Sequence, residues 1–192
     1  MRDMAMVIPF EERAVATLRD RLGAAESANQ DLIAFARGHS GATASIHAAV
    51  LALMDADSID ALFDVVTRTW PRILGLDHIV LALVADGLGF RVHHRAVELV
   101  ERRLVDRAIE QTDGIVMRTA ARGHALFGRE AAAVRSEAVI VLPAEAPMPY
   151  GLLLLGQRTE ASLDARHGAQ LLGFLGDSLG AMLRRWMMDR QA

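Results

Sequence analysis

The chain contains no cysteine, which excludes disulfides, thiolate nucleophiles, thiol-ligated zinc and thioether attachment of a chromophore. It contains no lysine either, since every one of its 21 cationic residues is arginine. That removes a Walker phosphate loop, a Schiff-base amine and a lysine general base. A GC-rich genome would account for the arginine bias, and the exclusions hold whatever its cause. Long hydrophobic runs are also missing. The longest, such as IVLALVA at 79–85, fall far short of the roughly 18 residues that a membrane helix needs. The first residues, MRDMAMVIPFEER, lack a basic segment followed by an apolar stretch, so no secretory signal is expected and the location read from the sequence is cytoplasmic. A net charge of -3 lacks the basic excess of a dedicated nucleic-acid binder.

What is present suffices for a real core. Of 192 residues, 52% are hydrophobic and 23% charged, which suits one folded domain with an appendage rather than two full domains. The expected division is an N-terminal helix over 1–40 and a second domain over 41–192. Between residues 11 and 37, Val15, Leu18, Leu22, Ala25, Asn29, Leu32 and Ala36 step by three and four in alternation, the seven-residue pattern of a coiled coil. Placing Val15 at an a position puts Asn29 at a as well, where a buried amide fixes the register of a parallel pair. The expectation is a homodimer interface carried by Val15, Leu18, Leu22, Asn29 and Leu32. The alternative is that the stripe packs on the chain's own body.

The stretch ATASIHAAVLALMDA reads as a helix with Ile46, Val50, Leu53 and Met54 on one side. Asp57 or Ser58 can cap a second helix with Ile59, Leu62, Phe63, Val66 and Trp70 on its buried face, ended by Pro71 and Gly75. HIVLALV at 78–84 is a β-branched buried strand, DGLG a turn, and FRVHH at 90–94 its hairpin partner. Residues 97–111 carry Val97, Val100, Leu104 and Ala108 at helical spacing and predict an amphipathic helix. GIVMR at 114–118 and ALF at 125–127 are weaker strand candidates. EAVIVLP and YGLLLLG predict a hairpin near the middle of the sheet, with Pro147 and Pro149 in its connection. The last helix, about 163–189, has a face of Leu172, Leu175, Leu179, Leu183 and Trp186. Beside it runs a stripe of small residues, Ala169, Gly173, Gly176 and Gly180. Each helical glycine costs about 1 kcal/mol relative to alanine, so the stripe predicts unusually close packing, expected here against another helix.

This order of elements is similar to a GAF domain, an antiparallel sheet with helices on one side and a ligand cavity on the other. The motifs PFEERAVATLRDRL, IHAAVLALMDADSIDALFDVV, SEAVIVLP and YGLLLLGQRTEASLDARHGAQLLGFLGDSLGAML resemble the bacterial DUF484 family from about Val7 to Trp186, with the N-terminal helical region shortened. That family has no established reaction. The resemblance therefore implies an α+β, GAF-like fold with an N-terminal coiled-coil helix, and transfers no catalytic residue. Two ligand classes of GAF domains are disfavoured: covalently attached bilin uses a cysteine, and the signature of cyclic-nucleotide binders needs a lysine.

No catalytic group emerges from the residues themselves. Ser136 precedes a strand rather than sitting in a GxSxG elbow, GLG at 87–89 opens no helix, and nothing selects one carboxylate pair for acid-base work. His93 and His94, adjacent in a strand, are expected on opposite faces and so unable to share a metal easily. No metal site and no particular cofactor is expected. The segment GIVMRTAARGHALFGREAAAVRS concentrates arginines near Phe127, in the region that would rim a GAF cavity. His94, Arg118, His124 and Phe127 are the candidate ligand-binding residues, for a small anion that arginine forks could grip. The alternative is a solvated loop whose arginines pair with surface acids. The functional expectation is a non-catalytic, dimeric sensory or regulatory module that signals to a separate, unknown protein partner; a ligand-free interaction scaffold is the other reading.

Overall fold

Alternating apolar residues between 78 and 157 build six strands: β1 (His78–Ala85), β2 (Leu88–His93), β3 (Ala96–Val100), β4 (Ile115–Thr119), β5 (Ser136–Leu142) and β6 (Tyr150–Gln157). Their order in the sheet is β3-β2-β1-β6-β5-β4, and every neighbouring pair is antiparallel. The computed structural model describes residues 40–94, 96–142, 149–160 and 165–188, together with Gly23, Glu26, Ser27 and Gln30. The chain divides into two units, Met1–Ala42 and Thr43–Ala192. In the first, Gly23, Glu26, Ser27 and Gln30 are helical and exposed. Val15, Leu18, Leu22, Asn29 and Leu32, the expected dimer contacts, lie outside the described residues.

The second unit holds the sheet. Because side chains alternate along a strand, each face collects its own core. Ile79, Leu81, Leu83, Val92, Ile140, Leu153 and Leu155 pack on one face against Ile46, Ala49 and Leu53 of α1 (40–54) and Leu175, Leu179 and Leu183 of α5 (Ala165–Met188). The same layer includes α2 (Ile59–Asp64), a π-turn (Val65–Thr69) and α3 (Trp70–Leu74), which contribute Leu62, Val66 and Trp70. Ser58 caps α2, its hydroxyl accepting from the Ala61 N–H at 3.1 Å. Trp70 is fully buried and its indole N–H donates to the Ala49 carbonyl at 2.9 Å, so this polar atom is satisfied inside the core.

The opposite face is covered by α4 (Arg102–Glu110) and a 3₁₀ segment (Ala125–Ala132). Val80, Ala82, Val84, Val139, Leu152 and Leu154 of the sheet meet Val105 and Ala108 of α4, and Leu126, Phe127, Ala131 and Val134 of the 3₁₀ segment and its exit. Both faces are therefore buried at the sheet's centre, which explains why β1 and β6 read as continuous apolar runs.

Three expectations are corrected. Residues 96–100 form the edge strand β3, and the helix begins only at Arg102. The helical spacing of Val97 and Val100 is coincidental, since Val97 and Leu99 stand 54% and 71% exposed on an edge. Residues 125–127 open the 3₁₀ segment instead of a strand, which lets the consecutive Leu126 and Phe127 both be buried. Gly173 and Gly176 of the small stripe on α5 face the sheet, not a helix. A Cβ added at Gly176 would lie 2.8 Å from Ile140 Cγ2, and one at Gly173 would lie 3.4 Å from Ile115 Cδ1. Glycine at 176 lets the helix axis approach β5 closely, and the dispersion attraction of that close packing offsets its low helix propensity.

Candidate functional site

Strand register places a polar group on the face opposite α1 and α5. Arg91 pairs with Ala82 on one side and Glu98 on the other, so all three point the same way. His78 and Val80 share the parity of Ala82 on β1, and His93 shares that of Arg91 on β2. The 3₁₀ segment brings Phe127, Arg129 and Glu130 over this edge of the sheet, while Arg68, Pro71, Asp77 and Arg158 close the sides. The result is a pocket of about 710 Å³ with an apolar floor of Val80 and Phe127 and a charged rim.

Two hydrogen-bonded groups line it. In the first, Arg91 Nη2 donates to Glu98, and His93 Nε2 lies 3.1 Å from Glu98 Oε1. The bond from Arg91, then that from His93, holds the Glu98 carboxyl below the usual carboxylate range. Arg91 Nε is buried with no acceptor among the described residues. The Arg91 guanidinium lies against Gly128, whose φ of 63° and ψ of -123° suit only glycine and where a Cβ would meet Arg91 Nη1. Gly128 is thus required both for the bend and for the approach.

In the second group, His78 is 9% exposed and its Nε2 accepts from Arg158 Nε at 3.3 Å. Arg158 N donates to Asp77 Oδ2 at 2.8 Å. Glu130 Oε2 stands 3.8 Å from His78 Nε2 and 3.9 Å from Arg158 Nη2, beyond hydrogen-bonding reach. Burial lowers the His78 pKa, Glu130 and Asp77 counter it, and Arg158 adds to the lowering. His78 is consequently neutral around pH 7, with Nε2 the acceptor.

A pH dependence follows from the sign of that shift. The unfolded chain binds a proton at His78 near pH 6.5 and the folded chain resists it, so stability decreases as pH falls through the ordinary imidazole range. His124, also lowered chiefly by burial, acts in the same direction. Urea denaturation between pH 7.5 and 5.5 is expected to show a falling midpoint, with a shallower fall in His78→Gln. A single proton can contribute at most about 1.4 kcal/mol per pH unit. An unchanged slope in His78→Gln would contradict this assignment.

Of the residues proposed from sequence, His94 and Phe127 line the pocket, Phe127 as part of the core and His94 at the exposed rim. Arg118 and His124 are not among its lining residues. Register sets Arg118 of β4 beside Glu137 of β5, whose buried carboxylate accepts from Arg118 Nε at 2.6 Å and from the His124 backbone N–H at 2.6 Å. His124 turns its Nδ1 to the Leu126 N–H at 3.1 Å and caps the 3₁₀ segment. Arg135 donates to the carbonyls of Ala121, Ala132 and Val134. The arginine-rich segment thus anchors its own loop as well as supplying Arg129 to the pocket.

His93 and His94 do not separate onto opposite faces as alternation predicts. β2 ends at His93 and His94 begins a turn, so both line the pocket, with ring centroids 5.9 Å apart. Among the described residues no group of three or more histidines and carboxylates could hold a metal ion. Sequence reasoning missed His78, Arg91, Glu98, Glu130 and Arg158. Period-two alternation alone would have put Arg91 and His93 on one face, but Glu98 was hidden by the helical reading of 97–111.

Residues 2–188 match a family model described as "Protein of unknown function, DUF484". No curated protein matches the chain. Among solved structures, the chain is similar to a far-red-absorbing dark state with bound biliverdin IXa, at 13% identity and a TM-score of 0.54, over 74% of this chain and 99% of that one. It is also similar to the free methionine-R-sulfoxide reductase of Neisseria meningitidis in complex with its substrate, at 16% identity and a TM-score of 0.55, over 75% of this chain and 89% of that one. At such identities the likeness is one of fold, and that fold is GAF-like.

Proposed function

We propose that this chain, which belongs to the DUF484 family, is a non-catalytic sensory or regulatory module that binds a small molecule in the pocket between β1, β2 and the 3₁₀ segment. The observation that carries the reading is the pocket itself. About 710 Å³ lies within the usual range for small-molecule sites, with an apolar floor and convergent charged groups fixed on a rigid sheet. The similar folds whose structures hold biliverdin IXa or a substrate support a ligand role for this architecture. With no cysteine in the sequence, neither a thioether-linked chromophore nor thiol-based sulfoxide reduction is available to it. No nucleophile, base and orienter converge among the described residues of the pocket, which supports binding over turnover.

In this reading the protein works in the cytoplasm as a homodimer through its N-terminal heptads, and ligand occupancy alters a surface offered to a separate protein partner. Among the described residues no helix is long and apolar enough to cross a membrane. One observation favours the second reading, a ligand-free scaffold: much of the sheet face that bears the pocket is filled by the chain's own Leu126, Phe127, Ala131 and Val134. Native mass spectrometry of the protein purified from its own host separates the two. A dimer with a stoichiometric extra mass is expected. A ligand-free dimer would transfer the argument to the scaffold, and a monomer would overturn signalling through paired helices.

A further inference from the structure

Most cations around the pocket already have partners. Arg68 lies 3.3 Å from Asp64 and donates to the His94 carbonyl, Arg91 Nη2 is taken by Glu98, and Arg158 Nε donates to His78. Two donor groups stand out. Arg129, exposed at the rim, makes no ion pair or hydrogen bond among the described residues, and Arg91 Nε is buried without an acceptor. The acids present a complementary gap, because Glu130 faces the pocket with its nearest cation, Arg158, 3.9 Å away.

Charge then discriminates between oxyanions. Arg68 is paired with Asp64 outside the lining, so Arg91, Arg129 and Arg158 face three carboxylates, Asp77, Glu98 and Glu130, and the formal charges balance. A monoanion upsets that balance less than a dianion does. A phosphate monoester, carrying about -1.5 to -2 at pH 7, would bring surplus negative charge beside Glu98 and Glu130. The planar arginine fork also matches a carboxylate, which can accept two parallel N–H bonds. The apolar floor of Val80 and Phe127 suits a short carbon chain, and the Glu130 carboxylate suits a neutral O–H or N–H at its far end.

We infer that the pocket takes a small monocarboxylate carrying a neutral hydrogen-bond donor, with Arg129 gripping the carboxylate and Glu130 accepting from the donor. This inference rests on the ligand-binding reading above and narrows it to one chemical class. The Gly128 bend has a clear purpose here, since it lets the 3₁₀ segment lie against Arg91 while the next residue carries the second guanidinium to the same rim.

The test is an amide chemical-shift titration of the full isotope-labelled chain with four probes: 4-hydroxybutanoate, butanoate, 4-aminobutanoate and butyl phosphate. Saturable shifts at Arg91, Gly128 and Arg129 are expected, tightest for 4-hydroxybutanoate and about tenfold or more weaker for butyl phosphate. Arg129→Gln should weaken both hydroxybutanoate and butanoate about tenfold, whereas Glu130→Gln should erase the preference for the hydroxylated probe. Tighter binding of the phosphate or the amino acid, or carboxylate binding indifferent to Arg129→Gln, would overturn the class while leaving the pocket in place. If no probe moves these amides yet native mass spectrometry finds a retained molecule, the carboxylate inference alone fails. If no probe moves them and nothing is retained, the ligand-binding reading fails with it.

Discussion

Gly151→Ala is expected to destabilise the protein by about 3 kcal/mol or more, the upper end of what overpacking costs. Gly151 sits in β6 opposite Leu83 of β1 and Leu142 of β5, in the middle of the sheet. A Cβ there would meet the Ala82 carbonyl oxygen, with the Ala82 carbonyl carbon and Leu83 Cα both at 2.9 Å. Those atoms are backbone, so no rotamer change relieves the contact and β1 must move away from β6. Against a typical total of about 5–15 kcal/mol, this removes a large share of the stability. Gly173→Ala provides the internal control, because its Cβ would make only ordinary contact with Ile115 and helix propensity improves by up to about 1 kcal/mol. Urea denaturation followed by circular dichroism should give a much lower midpoint for the first variant and an equal or higher one for the second. Equal midpoints would mean that the β1–β6 approach is looser than described.

Arg118→Met is expected to cost about 3 kcal/mol through the group it leaves behind rather than the group it removes. The Glu137 side chain is fully buried, whereas that of Arg118 is 51% exposed. Removing the guanidinium leaves a carboxylate out of water with the His124 N–H as its remaining described donor. The pairwise origin of the loss is checked by Arg118→Met with Glu137→Gln. The neutral amide keeps an acceptor for His124 and should recover most of the stability, a coupling that a merely structural loss of the arginine stem would not show. Hydrogen exchange supplies the local readout: the amides of His124 to Phe127 should exchange faster in the single variant than in the double one.

How much of this was legible in the sequence depends on whether the signal was local. HIVLALV, EAVIVLP and YGLLLLG carry enough β-branched or continuous apolar character to read as strands, and a cap at Asp57 or Ser58 is legible from their chemistry, the structure selecting Ser58. Residues 96–100 defeat a local reading because an edge strand with one bare face and a helix with one apolar stripe give similar short patterns. Pairing with β2, a tertiary fact, decides between them. The same gap hid the pocket. Glu98 belongs to it only because β3 lies beside β2 in one register, and Arg158 and Asp77 only because β6 ends where β1 begins. Arg118 and His124 are close to Phe127 in sequence, but the turn at Gly123 and the buried Glu137 carry them to a different acceptor.

The strand order has a further consequence, for how the sheet assembles in time. Residues 78–100 supply β1, β2 and β3 in turn, and residues 115–157 supply β4, β5 and β6 in turn, so within each half strands adjacent in space are consecutive in the chain. Only β1 against β6 joins distant segments. Each half can form by short loop closures, while the seam between them closes the longest loop within the sheet and carries the sheet's largest closure entropy. Completion of the sheet is therefore expected to be slowest along one line of contact, and Gly151, which permits the close approach there, bears on that step.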